Sequence, residues 1–212
     1  MKMKISILFV FTGTLLLNGC AISRLNIMQE MSNKGQHQNV VNYFEENYTY
    51  DSPEVLKYDS DYGDAILYPL CRAYFELRNY KKFAECSQVY IENTDKNGYP
   101  WGRFPASYGD IVAPIISIRS RVHMDFGNYP AAMQEAEKAV LLLKDSLRST
   151  EYLRKSDAIE VYGAAGLAHA FSGNRSKAEA YILQLNKMKS LFVDEYLAMP
   201  RHFAIAQIHM AL

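Results

Sequence analysis

Apolar side chains recur at three- and four-residue spacing along most of residues 21–212, and good helix formers dominate between them. This spacing gathers the apolar residues into one stripe along a helix. No run shows the sustained alternation that marks a half-buried strand. The pattern therefore predicts an all-α chain, and no Pro/Gly/Ser-rich linker divides it.

The N-terminus follows a different pattern. Lys2 and Lys4 precede a mostly apolar run over residues 5–17, which is shorter than the roughly 20 residues of a membrane-spanning helix but fits a secretory signal. The run ends in Leu-Asn-Gly-Cys at 17–20, which resembles the lipobox of bacterial lipoproteins. The resemblance implies cleavage of the signal peptide 1–19 and lipidation of Cys20, and the residue after Cys20 favours the periplasmic face of the outer membrane in a Gram-negative host. An ordinary signal peptide is the alternative.

Three stretches of the remaining chain share one pattern, over residues 70–85, 120–132 and 166–178. Each predicts a helix, a tight turn at Arg-Asn or Gly-Asn, and a second helix, because Gly and Asn adopt the left-handed backbone that ends a helix. With a weaker first copy, the turns fall 43, 49 and 46 residues apart, at Gly35, Arg78, Gly127 and Gly173. The chain therefore repeats one helical hairpin.

These hairpins resemble tetratricopeptide repeats. The matching small residues in the middle of the first helix are Cys71, Ser120 and Gly166, each followed three residues later by Tyr74, His123 or His169. Phe83 stands where Ala is usual and Arg119 where a core Leu is usual, and these departures leave the repeat boundaries open. The resemblance implies a right-handed superhelix of about four hairpins over 20–212 with a concave surface. An unrelated helical bundle is the alternative.

The last residues, 202–212, resemble the first helix of a fifth repeat, with Ala206 as its small residue and His209 at the position of His123 and His169. This helix is predicted to be unpaired, and it is nearly apolar. A cap for the array should carry a polar outer face. The pattern therefore favours a piece of a longer protein, a homodimer surface, or both.

Charge and cysteine content argue against two classes of protein, nucleic-acid-binding proteins and disulfide scaffolds. Lys and Arg together number 23, as do Asp and Glu, so the balance gives no support to a nucleic-acid-binding protein. Three Cys are too few for a disulfide scaffold. Cys71 and Cys86 lie seven residues before and after the turn at 78–79, and both a disulfide and two buried thiols stay open.

No catalytic, metal or cofactor motif stands out. The chain lacks the HExxH, CxxC, GxSxG, P-loop and GxGxxG patterns, so we expect neither an enzyme nor a cofactor. Residues 93–98 resemble the start of a calcium loop, but its twelfth position is Phe104 instead of an acid. The three His at equivalent positions sit on successive helices, too far apart to bind one metal ion together.

The repeat register predicts a partner-binding groove on the concave face. Its predicted residues are Tyr68, Arg72, Phe75, Arg121, Met124 and Phe171, with Trp101 at the edge in the aromatic loop 98–109. Arg among aromatic residues suits a peptide with an acidic or C-terminal carboxylate. An ordinary solvated groove and a loop that only plugs the array remain alternatives.

The predicted function is a non-catalytic interaction scaffold, anchored to the membrane by lipid and binding an envelope protein or peptide. The alternative is an accessory repeat domain of a longer envelope enzyme or transport system. The resemblance supports the first in general terms only, because no particular repeat lipoprotein matches closely.

Overall fold

The computed structural model describes residues 27–52, 55, 66–94, 107–145, 151–188 and 194–212. Within these ranges the chain is helical and contains no strand, which confirms the all-α prediction. The signal segment 1–19, Cys20, Trp101 and Phe104 lie outside the described residues, so what the sequence predicts for them stays a prediction. The chain divides into two compact units, Met1–Arg78 and Asn79–Leu212.

The first unit contains α1 (27–33), α2 (His37–Asn47) and α3 (Leu67–Glu76). Helix α2 packs against α3. The buried side of α2 carries Val40, Val41 and Phe44. The ring of Phe44 also contacts the rings of Tyr48 and Tyr50, with centroids 6.0 and 5.4 Å apart. This aromatic group therefore closes the C-terminal end of α2.

The second unit contains six helices among its described residues: α4 (Tyr80–Asn93), α5 (Tyr108–Asp125), α6 (Tyr129–Leu142), α7 (Glu151–Phe171), α8 (Arg175–Lys187) and α9 (Asp194–Ala211). A short 3-10 helix, Leu143–Asp145, extends α6. Helices α5 and α6 pack together as one hairpin, and α7 and α8 as the next. Helix α7 also packs on α5 and α6, and α9 packs on α7 and α8. Each hairpin is thus covered by the element that follows it.

The turns between paired helices have one geometry. The residue at the turn has a positive φ in each case: 71° at Gly35, 56° at Arg78, 70° at Gly127 and 73° at Gly173. At the third turn, the N–H of Asn128 donates to the His123 carbonyl and that of Gly127 to the Met124 carbonyl, both at 2.9 Å. This pair of bonds is a Schellman motif, and it ends the helix as the Gly-Asn pattern predicts.

The residue after each turn residue is the N-cap of the next helix. The side chains of Asn79, Asn128 and Asn174 accept a hydrogen bond from the backbone N–H three residues later. A side-chain cap of this kind satisfies one of the amides that a helix N-terminus leaves unpaired. At the first turn the corresponding residue is Gln36, which makes no such bond. The Asn residues therefore have a second use that the sequence pattern alone did not identify.

Small residues of the repeat pattern bring the helices of the second unit close together. The Ser120 hydroxyl in α5 donates to the Ala132 carbonyl in α6 at 2.8 Å. A Cβ built on Gly166 in α7 would lie 3.2 Å from the Cβ of Tyr181 in α8. Both contacts therefore depend on a small residue where the helices cross: serine at 120 and glycine at 166.

Candidate partner-binding site

A cleft of about 390 Å3 lies between α4 and α5 in the second unit. Helix α4 touches α5 far less closely than α6 does, which leaves the space open. Apolar and polar side chains line it together: Tyr80, Phe83, Ala84, Ser87, Gln88, Arg119, Val122 and His123. A concave, mostly apolar site with a few polar groups is the usual form of a binding pocket.

The polar side chains that α4 contributes to the cleft are already engaged. The Ser87 hydroxyl donates to the Ala84 carbonyl at 3.1 Å. The Gln88 amide donates to Glu92 at 2.6 Å. The Tyr80 hydroxyl donates to Asp125 at the end of α5, and its ring meets that of Phe126 edge to face at 5.3 Å. The α4 side of the cleft therefore offers mainly apolar surface to a ligand.

The α5 side supplies the cationic group. Arg119 Nη2 lies 3.3 Å from Glu135 Oε1 of α6, with the two side chains 30% and 18% exposed. This ion pair holds the guanidinium at the cleft. A guanidinium has five N–H donors, so one ion pair leaves others for a ligand. With His123 alongside, the cleft matches an apolar side chain that carries or adjoins a carboxylate.

Arg121, a residue of the predicted groove, lies on α5 two positions from Arg119. Its side chain is partly buried, and within the described part of the chain its Nε has no hydrogen-bond partner. A buried donor without a partner costs about 1–3 kcal/mol, so an incoming acceptor would be favoured there. Arg121 and Arg119 therefore place two cationic groups on the same helix.

The other predicted groove residues have varied environments. Tyr68, Arg72 and Phe75 belong to α3 of the first unit, where Arg72 is exposed and the other two are partly buried. Met124 is only 9% exposed and packs among Ala132, Ala136, Ala165 and Ala168, so it is better described as a core residue. Phe171 stacks on Tyr129 with centroids 5.7 Å apart. None of the six predicted residues that the structure describes lines the cleft.

The cleft coincides with the two departures from the repeat pattern. Phe83, where Ala is usual, and Arg119, where a core Leu is usual, both line it. The larger Phe83 side chain and the charged Arg119 occupy positions that close packing of α4 on α5 would assign to small or apolar residues. The two departures that leave the repeat boundaries open are therefore also the sequence signal for this site.

A polar cluster joins α6, α7 and α8 in the same unit. Glu137 Oε1 accepts hydrogen bonds from His169 Nε2 at 2.7 Å, Lys177 Nζ at 2.9 Å and the Tyr181 hydroxyl at 3.0 Å. Burial alone would raise the pKa of Glu137, but these three hydrogen bonds outweigh it and lower the pKa. Burial first, and then the Glu137 carboxylate, raise the pKa of Tyr181, which keeps its phenol protonated.

The three equivalent His residues have different surroundings. His169 is 4% exposed, stacks on Tyr181 and bonds Glu137. His123 lines the cleft, and His209 is exposed. Among the described residues, no group of three or more His, Cys, Asp or Glu side chains is arranged to hold a metal ion. The structure thus assigns His169 to packing and His123 to the candidate site.

Cys71 and Cys86 are both completely buried, and each is disulfide-bonded. Of the two states that the sequence left open, the structure therefore has the oxidised one.

In the part of the chain that the structure describes, no helix combines the length and apolar character needed to cross a bilayer. Comparisons with protein-family models, with curated proteins and with solved structures found no match.

Proposed function

We propose that this protein is a non-catalytic interaction scaffold of the bacterial cell envelope, built as a tetratricopeptide-like superhelix, that binds a segment of another envelope protein or peptide. The observation that carries the proposal is the cleft between α4 and α5, where Phe83 and Arg119 depart from the repeat pattern. The successive packing of α5/α6, α7/α8 and α9 supports the repeat architecture. The partner segment combines an apolar side chain with a carboxylate.

The proposed site is the cleft itself. Arg121 does not line it, because residues two positions apart on a helix do not share a face, and Arg121 remains a separate predicted anchor. The apolar residues of α4 accept the partner's side chain, while Arg119 binds its acidic group. Charge-assisted hydrogen bonds to a carboxylate are stronger than neutral ones, and Arg is a frequent energetic anchor of interfaces. Arg72 of the first unit remains a predicted anchor of the same kind.

Site-specific photo-crosslinking of the full chain in its native host tests this function. A photoreactive amino acid at Gln88, in the cleft, should yield one dominant adduct with an envelope protein, whereas one at Lys138, an exposed position on α6, should not. Arg119→Ala should then reduce the Gln88 adduct severalfold or more, because truncating an anchor costs on the order of 2 kcal/mol, about thirtyfold in affinity.

Lys138→Ala is the matched control, since this Lys is exposed and lies outside the cleft. Lys177 is unsuitable because it bonds Glu137. Adducts as strong at Lys138 as at Gln88 would contradict the proposed site. An adduct at Gln88 that Arg119→Ala leaves unchanged, while helix content is preserved, would contradict it too.

The proposed location is the envelope membrane, through lipid on Cys20, and the periplasmic face of the outer membrane in a Gram-negative host. One acyl chain gives only marginal binding, whereas the several chains of a bacterial lipoprotein anchor it firmly. Radiolabelled palmitate should be incorporated into the full chain in a host with a working lipoprotein pathway, and Cys20→Ser should abolish the label. Labelling that survives the substitution would remove the basis for the anchor.

A further inference from the structure

Helix α9 exposes an apolar stripe to solvent. The stripe consists of Met199, Phe203, Ala206 and Met210, at spacings of four, three and four residues, which places them on one side of the helix. Met199 is 80% exposed, Phe203 61% and Met210 79%. The opposite side of α9 carries Ala204 and Ile208, which are buried in the core with α7 and α8. Large apolar side chains aligned in this way mark an interaction surface.

The equivalent face of helix α7, in the same unit, shows what kind of element covers a stripe like that of α9. In the repeat register, Phe203, Ala206 and Met210 correspond to Gly163, Gly166 and Ala170 of α7. That face of α7 is covered by helices: Gly166 lies against Ile208 of α9 and Tyr181 of α8. Ala206, which matches the small residue Gly166 in the repeat register, is exposed. The stripe is therefore the next position in the stack, and its natural occupant is another helix.

We infer that the stripe binds the same stripe of a second copy of this chain, with the two α9 helices antiparallel about a two-fold axis between positions 204 and 205. In this arrangement Phe203 faces Ala206 of the second copy, and Met199 faces Met210. A large ring then meets a small residue, which permits close packing. Parallel pairing would instead set Phe203 against Phe203 and leave a gap at Ala206. The stripe is thus complementary to itself in one orientation, as a two-fold interface requires.

The charge of this region also fits a second copy. Among positions 198–212, Arg201 is the one Lys, Arg, Asp or Glu residue. It is only 2% exposed, so its charge does not lie on the stripe. No fixed like charges would therefore face each other across the two-fold axis. A partner chosen by charge would find no ion-pair donor or acceptor on the stripe. This inference is independent of the partner-binding cleft.

Disulfide crosslinking of full chains tests the arrangement. Two differently tagged copies are expressed together, one with Phe203→Cys and the other with Ala206→Cys, and oxidised briefly with copper–phenanthroline. Because a disulfide requires Cβ atoms about 3.5–4.5 Å apart, only facing positions crosslink efficiently. Leu183→Cys in both copies is the matched control, since Leu183 lies on α8 and is 60% exposed, like Phe203. Unsubstituted chains give the background from native cysteines.

The mixed pair should form severalfold more dimer than the Leu183 control, and adding Met199→Asp to both copies should return it to that background. Phe203→Cys chains that crosslink with each other better than the mixed pair would show parallel packing and overturn the inference. A mixed pair that forms no more crosslinked dimer than the Leu183→Cys control would also overturn the inference. This result is expected if a following helix of a longer protein covers the stripe.

Discussion

Gly166 in α7 lies directly against Ile208 in α9: a Cβ built on Gly166 would come within 2.4 Å of the Ile208 Cδ1 atom. Gly166→Ala should therefore destabilise the protein although Ala favours helix by about 1 kcal/mol, because overpacking costs about 1–3 kcal/mol. Removing the clashing methyl group with Ile208→Val should restore part of the loss. Urea unfolding of the two single variants and the double variant measures this coupling.

Gly109→Ala provides the severe case for comparison. A Cβ on Gly109 would lie 2.0 Å from the backbone carbonyl oxygen of Leu142, which cannot rotate away as a side chain can. The loss of stability should exceed that of Gly166→Ala, and no single side-chain truncation should rescue it. Equal losses for the two Gly variants would show that α9 is held as rigidly as the α5–α6 crossing.

Substitution of the turn residues should isolate backbone strain from packing. No atom lies within 4 Å of a Cβ built on Gly127 or Gly173, and both have a positive φ. Gly127→Ala or Gly173→Ala should cost about 1 kcal/mol in unfolding free energy, since the left-handed backbone disfavours a side chain by about that amount. Gly173→Asn should cost less, because Asn tolerates this conformation. A neutral Gly127→Ala variant would contradict the turn geometry.

Removing a helix cap should lower the stability of the protein independently of the turn residues. Asn128→Ala removes the side chain that accepts from the Ala131 N–H, and should cost about 1 kcal/mol. Asn128→Gly should cost only a few tenths of that, since Gly also suits this position. Gln36→Ala is the control, because Gln36 makes no side-chain cap. Thermal unfolding of the three variants measures the difference, and a loss for Gln36→Ala equal to that of Asn128→Ala would contradict it.

Glu137→Gln should destabilise the protein in a pH-dependent way. Its pKa is lowered from the ordinary 4.5, so the charged form is favoured in the folded state. This contribution is present above the unfolded pKa and is lost as the pH falls through the folded one. Near neutrality the variant should have an unfolding free energy about 1 kcal/mol lower than that of the unsubstituted chain. This difference should shrink below about pH 4.5.

Glu179→Gln is the matched control for Glu137. Glu179 is half exposed and forms an ion pair along its own helix with Arg175, at 2.8 Å. Exposed pairs of this kind contribute about 0.3–0.5 kcal/mol. Unfolding free energies at several pH values should separate the two variants near neutrality and bring them together in acid. Curves that run parallel at all pH values would show that the Glu137 charge is not the stabilising group.

Cys71 and Cys86 should resist alkylation until the protein is reduced. Both are disulfide-bonded, so iodoacetamide should leave them unmodified even in denaturant. After reduction and unfolding, both should be labelled, which peptide mass spectrometry detects. Labelling of either residue in unreduced, denatured protein from an oxidising compartment would mean that the free thiols left open by the sequence are present after all.

Local features could be predicted from the sequence because they depend on residues a few positions apart. The Gly-Asn pairs at 127–128 and 173–174 specify the turn through a positive φ and a side-chain cap within the same segment. The spacing of apolar residues specified helices for the same reason. The chain repeats these signals, so the succession of helix, turn and helix followed from its pattern alone.

The tertiary structure decided which distant residues meet. Glu137 bonds side chains 32, 40 and 44 positions away, and Phe83 shares a cleft with Arg119. The sequence placed Met124 in the groove, but packing on α6 and α7 buried it. Helical periodicity shows that a helix has an apolar side, whereas the neighbour that covers this side is set by how the helices pack.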